Sequence, residues 1–220
     1  MSRIRTTSPN PGDAAQEDDS ALLAQLVNDI RNPLGVIAFF AEALPEAVEN
    51  ERPELCERLQ LNARRAMQVV EEFALLADLR HGRAVPDDSE WDGAALLVQL
   101  VAELEAMERR ADCVEISAAA GAQIRGDRAQ LTCALRSVLR EAVRGSSGGP
   151  VHVRLTDDDG CAVLSLTVPL RNDPVLEIVS RLDETSLPIE LARGVAALHC
   201  GTFTMQQRPG RAALALALPR

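Results

Sequence analysis

One short run of side chains can do polar chemistry in an otherwise apolar setting. It is Asn28-Asp29 with Arg31-Asn32, inside Leu26-Val-Asn-Asp-Ile-Arg-Asn-Pro-Leu-Gly-Val-Ile37. Two carboxamides, a carboxylate and a guanidinium hydrogen-bond and orient a partner, but a carboxamide does not attack as an imidazole nitrogen does. Asn28, Asn32 and Gly35 stand at i, i+4 and i+7, so they share one helical face. Taken alone, such a quartet is an ordinary solvated face. Beside it stands Pro33, and a proline inside a helix removes one hydrogen bond and clashes with the preceding turn, at about 3 kcal/mol. Its presence reads as a functional bend. Elsewhere the reactive side chains are dispersed. His81, His152 and His199 are far apart in the chain, and Cys56, Cys113, Cys133, Cys161 and Cys200 form no Cys-x-x-Cys pair. No metal-ligand cluster is visible, and the thiols read as buried small hydrophobes.

The elements that must position the polar run are legible from periodicity. Residues 1–18 are rich in Ser, Thr, Pro, Gly, Asp and Glu and read as a disordered tail. Asp19 or Ser20 is the expected N-cap of a helix whose apolar stripe is Leu23, Leu26, Ile30, Leu34, Ile37, Ala41 and Leu44. Pro45 and the run 49–53 end it. A second stripe, Leu55, Leu59, Ala63, Ala66, Val70, Phe73 and Ala77, stops at Arg80-His81-Gly82. Residues 19–82 therefore read as an antiparallel helical hairpin. One hairpin cannot cover both wide stripes, so two copies are expected to pair into a dimeric four-helix bundle.

Residues 83–90 read as a linker and 91–220 as a second domain. Its expected elements are a helix from Trp91 to Arg110, strands at 114–117 and 123–126, and a helix capped by Asp127 and running to Arg144. A hairpin at 151–155 and 162–168 follows, then helical stretches at 174–182 and 187–199, and a closing hairpin at 201–207 and 212–218. Trp91 reads as a packing anchor, and Asp157-Asp-Asp-Gly160 as a turn, since further calcium ligands are missing. The fold class is α+β. With 46% apolar residues but no tyrosine, the core must be largely aliphatic. A net charge of −10 argues against nucleic acid and anionic membrane as partners, and favours protein. No apolar run is long enough to span a bilayer, and the N-terminus lacks the apolar centre of a secretory signal, so a cytoplasmic protein is expected.

The order of these elements resembles the catalytic core of sensor histidine kinases, a dimerising hairpin followed by a nucleotide-binding α/β sandwich. Asn28-Asp-Ile-Arg-Asn-Pro-Leu34 resembles the family's H-box, His-Glu/Asp-Leu-Arg-Asn/Thr-Pro-Leu, closely at six of seven positions. Asp127-x-x-x-Leu131 opens the helix that carries the N-box. Gly148-Gly149-Pro-Val-His-Val153 and the closing Gly201-Thr-Phe…Leu-Ala-Leu-Pro219 resemble the strands that follow. The chain departs from the pattern where the chemistry lies. Asn28 stands at the phosphoacceptor position. Aligned on Ala142, the N-box asparagines become Ser137 and Glu141, a degenerate nucleotide site. Asn172-Asp-Pro-Val and Ser186-Leu-Pro-Ile-Glu-Leu191 replace the glycine-rich boxes, and without glycines the backbone cannot approach phosphates closely. ATP and magnesium binding are expected to be lost, leaving no cofactor. Dimeric, kinase-like histidine phosphotransferases, whose degenerate sandwich binds no ATP, are similar in size and also carry Asp after the histidine.

The resemblance implies a degenerate pseudokinase homodimer in phosphorelay signalling. It would bind a response-regulator receiver domain through Asn28, Asp29, Arg31, Asn32 and Gly35, or pair with a partner histidine kinase. It also implies two enzymatic alternatives. In the family the acidic residue after the histidine and the Asn/Thr three residues further on support receiver dephosphorylation, the amide placing a water for in-line attack; Asp29 and Asn32 preserve that pair. The other alternative is a phosphotransferase whose acceptor histidine has been replaced by Asn28.

Overall fold

The computed structural model describes residues 11–108, 112–119, 121–146, 149–158, 160–170 and 186–219. They fall into two compact units, divided between Phe73 and Ala74. The first unit is a helical hairpin, α1 (Pro11–Ala43) and most of α2 (Arg52–Arg80). Pro45 disfavours the helical region for Leu44, and α1 ends there in a turn. Pro53 falls in the first turn of α2, where its missing N–H costs nothing, with Glu54 beside it and Arg80 in the last turn, both complementing the helix dipole. Near the connection the Arg58 guanidinium lies 5.4 Å above the Phe40 ring, and Arg58 also pairs with Glu54 at 2.6 Å. Asn62, mostly buried, donates to the Arg58 carbonyl at 2.8 Å.

The second unit joins the end of α2 to a sheet domain. After β1 (Glu90–Asp92) come α3 (Gly93–Glu108), β2 (Val114–Ala118), β3 (Gln123–Arg125) and α4 (Arg128–Gly145). The hairpin β4 (Val151–Asp158) and β5 (Cys161–Pro169) follows, then α5 (Leu187–Leu198) and the hairpin β6 (Thr202–Arg208) and β7 (Arg211–Pro219). The large sheet has the order β2-β4-β5-β7-β6, antiparallel except for the β2–β4 pair, while β1 and β3 form a separate ribbon. Strict alternation along β5 and β7 sends Leu164, Leu166, Leu214 and Leu216 to one face. There they are buried together with Leu97, Leu100, Leu131, Leu139, Ile189 and Leu191 of the helices. Aliphatic side chains thus supply the core that the scarcity of aromatics demanded.

Caps fix the helix starts. Asp92 accepts from the amides of Ala94 and Ala95 at 2.9 and 3.1 Å, and Asp127 from the amide of Gln130 at 3.0 Å. His199 ties two helix ends together. Its Nδ1 donates to the Val195 carbonyl at 2.8 Å, and its Nε2 accepts from the Asp127 amide at 2.9 Å.

Several sequence expectations need correction. Helix α1 starts at Pro11, eight residues before the expected cap, so residues 11–18 are helical and not tail. Proline suits a first helical position. The expected helix from Trp91 is preceded by a strand. Trp91 pairs with Ile124 across the ribbon and its indole donates to the Gly126 carbonyl at 3.1 Å. The 83–90 segment is no free linker. Asp88 grips Arg125 with both carboxylate oxygens (Nε–Oδ1 2.6 Å), Ser89 donates to the Gly126 carbonyl, and Gln130 donates to the Val85 carbonyl. The thiols divide as well. Cys113 is buried, but Cys56, early in α2, and Cys200, at φ 56° after α5, are exposed. The expected helix at 174–182 and Asn172-Asp-Pro-Val lie outside the described residues.

Candidate functional site

In the hairpin, α1 is continuous through Pro33. That ring is buried and has no N–H to offer the Asp29 carbonyl one turn earlier, so the helical ladder lacks one bond beside the polar run. Asn28, Arg31, Asn32 and Gly35 are exposed, and Asp29 is half-buried. Asp29 and Asn32, at i and i+3, are neighbours on the helix surface.

A further residue joins this face. Phe39 follows Asn28, Asn32 and Gly35 at i+11, and 65% of it is exposed, although its ring meets that of Phe40 at 5.4 Å. Sequence reading passed over it because Phe39-Phe40 looks like one apolar pair. The helical step separates them, leaving Phe40 half-buried and Phe39 in solvent. Gly35 has a related meaning. A methyl group built there meets nothing within 4 Å, so nothing among the described residues requires a glycine. A glycine inside a helix costs roughly 0.5–1 kcal/mol relative to alanine. The face is therefore polar at one end, bare in the middle and aromatic at the other.

A separate seam runs along α1. Leu23, Val27, Ile30, Leu34 and Ile37 are spaced by alternating steps of four and three, the heptad spacing of packed helices. Leu23, Val27 and Leu34 are 61%, 51% and 48% exposed, and Met67 and Val70 of α2 are exposed as well. A single copy leaves this apolar surface in water.

In the sheet domain, α4 carries the two positions aligned with the N-box. Ser137 is fully buried, with its oxygen 3.5 Å from the Arg140 guanidinium, and Glu141 is half-buried. Two ion pairs staple α4 to α3, Arg136–Glu103 at 3.3 Å and Arg144–Glu108 at 3.0 Å. The start of α5 is poor in free amides. Leu187, Pro188 and Ile189 are buried, and the amides of Ile189 and Glu190 both donate to the Ser186 carbonyl at 3.0 Å. Pro188 contributes no amide, and Glu190 puts a carboxylate in the first turn, 2.6 Å from Arg80. Among the described residues there is no group of three or more His, Cys, Asp or Glu side chains placed to hold a metal, and no helix long and apolar enough to cross a membrane.

Comparison with known proteins agrees with this architecture. Residues 19–82 match the family model for the His Kinase A (phospho-acceptor) domain. The chain has the fold of a histidine kinase core. The histidine kinase AdeS of Acinetobacter baumannii superposes with a TM-score of 0.60 at 13% identity, over 86% of this chain and 95% of that one. A histidine kinase from Burkholderia phymatum STM815 gives 0.51 at 19% identity, over 96% and 99%. Full-length ShkA, solved in complex with AMPPNP, gives 0.54 at 21% identity over 90% of this chain, which spans 45% of that protein. No curated protein sequence matches. The histidine kinase fold thus covers both units, and the polar run lies within the segment that matches the phospho-acceptor domain model.

Proposed function

We propose that this chain is a catalytically degenerate, histidine kinase-like homodimer that binds a response-regulator receiver domain and thereby regulates two-component phosphorelay signalling. The observation that carries the reading is Asn28, an exposed carboxamide where the H-box resemblance places the phosphoacceptor histidine. Around it Arg31, Asn32, Gly35 and Phe39 offer hydrogen-bonding groups, close helix approach and an aromatic anchor, the composition of a protein-docking face. The amide-poor start of α5 and the buried Ser137 support loss of nucleotide binding. Pairing with a partner histidine kinase through the apolar seam is a variant of the same role. Calorimetry with receiver domains from the same genome, in the absence of ATP, tests it. Saturable binding that Asn32→Ala and Phe39→Ala weaken is expected; no binding to any receiver or histidine kinase overturns the reading.

A second reading, receiver phosphatase, rests on the adjacency of Asp29 and the exposed Asn32. Holding a water in line is worth several kcal/mol of barrier, so the acceptor histidine is not required. Here a phosphorylated receiver should lose phosphate faster in the presence of the protein. A loss rate unchanged by Asn32→Ala removes this reading. A third, a phosphotransferase lacking its acceptor, predicts that Asn28→His takes up phosphoryl groups from a phospho-receiver.

A further inference from the structure

The five-stranded sheet buries one face against helices and leaves the other open, and strand register arranges the open side chains in rows. One row runs Glu115, His152, Thr167 and Ala213 across β2, β4, β5 and β7; the next runs Ser117, Arg154, Ser165 and Ala215. Long side chains on β2 and β4 stand beside hydroxyls and methyls on β5 and β7, so the surface dips. The dip is an open groove of about 440 Å³, lined by Glu115, Ser117, His152, Arg154, Ser165 and Thr167. Its volume falls within the roughly 300–1,000 Å³ of small-molecule sites.

The charges in the groove are unevenly matched. Its one carboxylate, Glu115, engages His152 Nδ1 at 2.9 Å. Arg154, exposed, makes no ion pair with any described residue, although the chain carries a net charge of −10. Its cross-strand neighbours on both sides are hydroxyls, Ser117 and Ser165. The Ser165 hydroxyl is 3.5 Å from the Arg154 carbonyl, a long contact that a better acceptor displaces at little cost.

We propose that this groove binds the phosphate group of a small phosphomonoester, anchored by Arg154. A guanidinium fork suits phosphate and carboxylate alike. The hydroxyls on either side favour a tetrahedral oxyanion, which accepts hydrogen bonds from several directions, over a planar one that uses the fork alone. With Nδ1 held by Glu115, His152 presents Nε2 as its remaining ring nitrogen. The groove lies on the face of the sheet opposite the helices, so it is separate from Ser137 and Glu141 of α4. It is also independent of the receiver-docking reading.

The test is an NMR titration of the full chain with glycerol 3-phosphate at low salt, with acetate as the planar comparison. Saturable shifts are expected at residues 115–117, 152–154 and 165–167, with acetate much weaker. Arg154→Gln should weaken binding about tenfold or more, and Arg154→Lys, which keeps the charge but loses the fork, by less. The exposed position makes both variants tolerable to the fold, and their unperturbed resonances elsewhere verify this. Absence of saturable shifts, equal shifts with acetate, or an affinity indifferent to Arg154→Gln each overturns the proposal.

Discussion

At the scale of single residues, the positions on α1 assigned to the proposed docking face are ones the fold does not need. Gly35 is the clearest. A methyl group there meets none of the described residues, yet the glycine interrupts an exposed helix that alanine would favour. Gly35→Ala should therefore stabilise the hairpin by roughly 0.5–1 kcal/mol in thermal unfolding. Gly35→Trp, tolerated by the open space, should abolish receiver binding in the same calorimetric assay. A fall in stability with alanine would mean that the glycine is there for the chain itself.

Asp88 supports a different expectation. The hydrogen bond from Arg125, outweighing the upward push of desolvation, holds its carboxyl below the usual 3.8. A carboxylate whose folded value is lowered contributes stability fully present above the unfolded value and lost as pH falls through the folded one. Asp88→Asn should thus lower the unfolding midpoint near neutral pH, and the gap from the unsubstituted protein should close below about pH 4. The effect is small, because both groups are exposed to solvent. A gap that persists into acid would show that the loss comes from elsewhere.

At the scale of elements, the periodic segments announced themselves and the close approaches did not. Helices α2, α4 and α5 and the two hairpins follow from apolar spacing and from Asp127, Pro209 and Gly210. Of the two-stranded ribbon, β3 was expected at 123–126, but β1 escaped notice because a three-residue strand carries too little pattern to read. Gly201 shows how tightly such elements can meet. A methyl group there would come within 2.3 Å of the Ala217 carbonyl and 3.3 Å of that of Ala196. Backbone cannot retreat as a side chain can, so Gly201→Ala should cost about 1–3 kcal/mol, measured by denaturant unfolding of the sheet domain. The signal for this contact, a glycine opening β6, was present in the sequence, but its partner was sixteen residues away and set by register.

At the scale of the whole molecule, the exposed seam on α1 gives the proposed homodimer its physical reason. Leu34, half exposed in a single copy, would be buried against a second. Leu34→Glu should convert dimer to monomer in sedimentation experiments while the sheet domain keeps its circular dichroism. A chain that sediments as a monomer without any substitution contradicts the bundle.

The sequence by itself determined the class of most segments and the place of the polar run. Apolar spacing, prolines, glycines and capping carboxylates act over a few residues, and such signals survive without tertiary context. It also revealed Asn28, since the identity of a side chain needs no structure. Only the tertiary structure decided what lies beside what. It moved Phe39 into solvent on the Asn28 face, buried Ser137, and pinned 85–89 against 125–130. It also set Arg154 between two hydroxyls on an open sheet face. These arrangements depend on strand register and on which helix face finds the core, properties of contacts between residues distant in the chain.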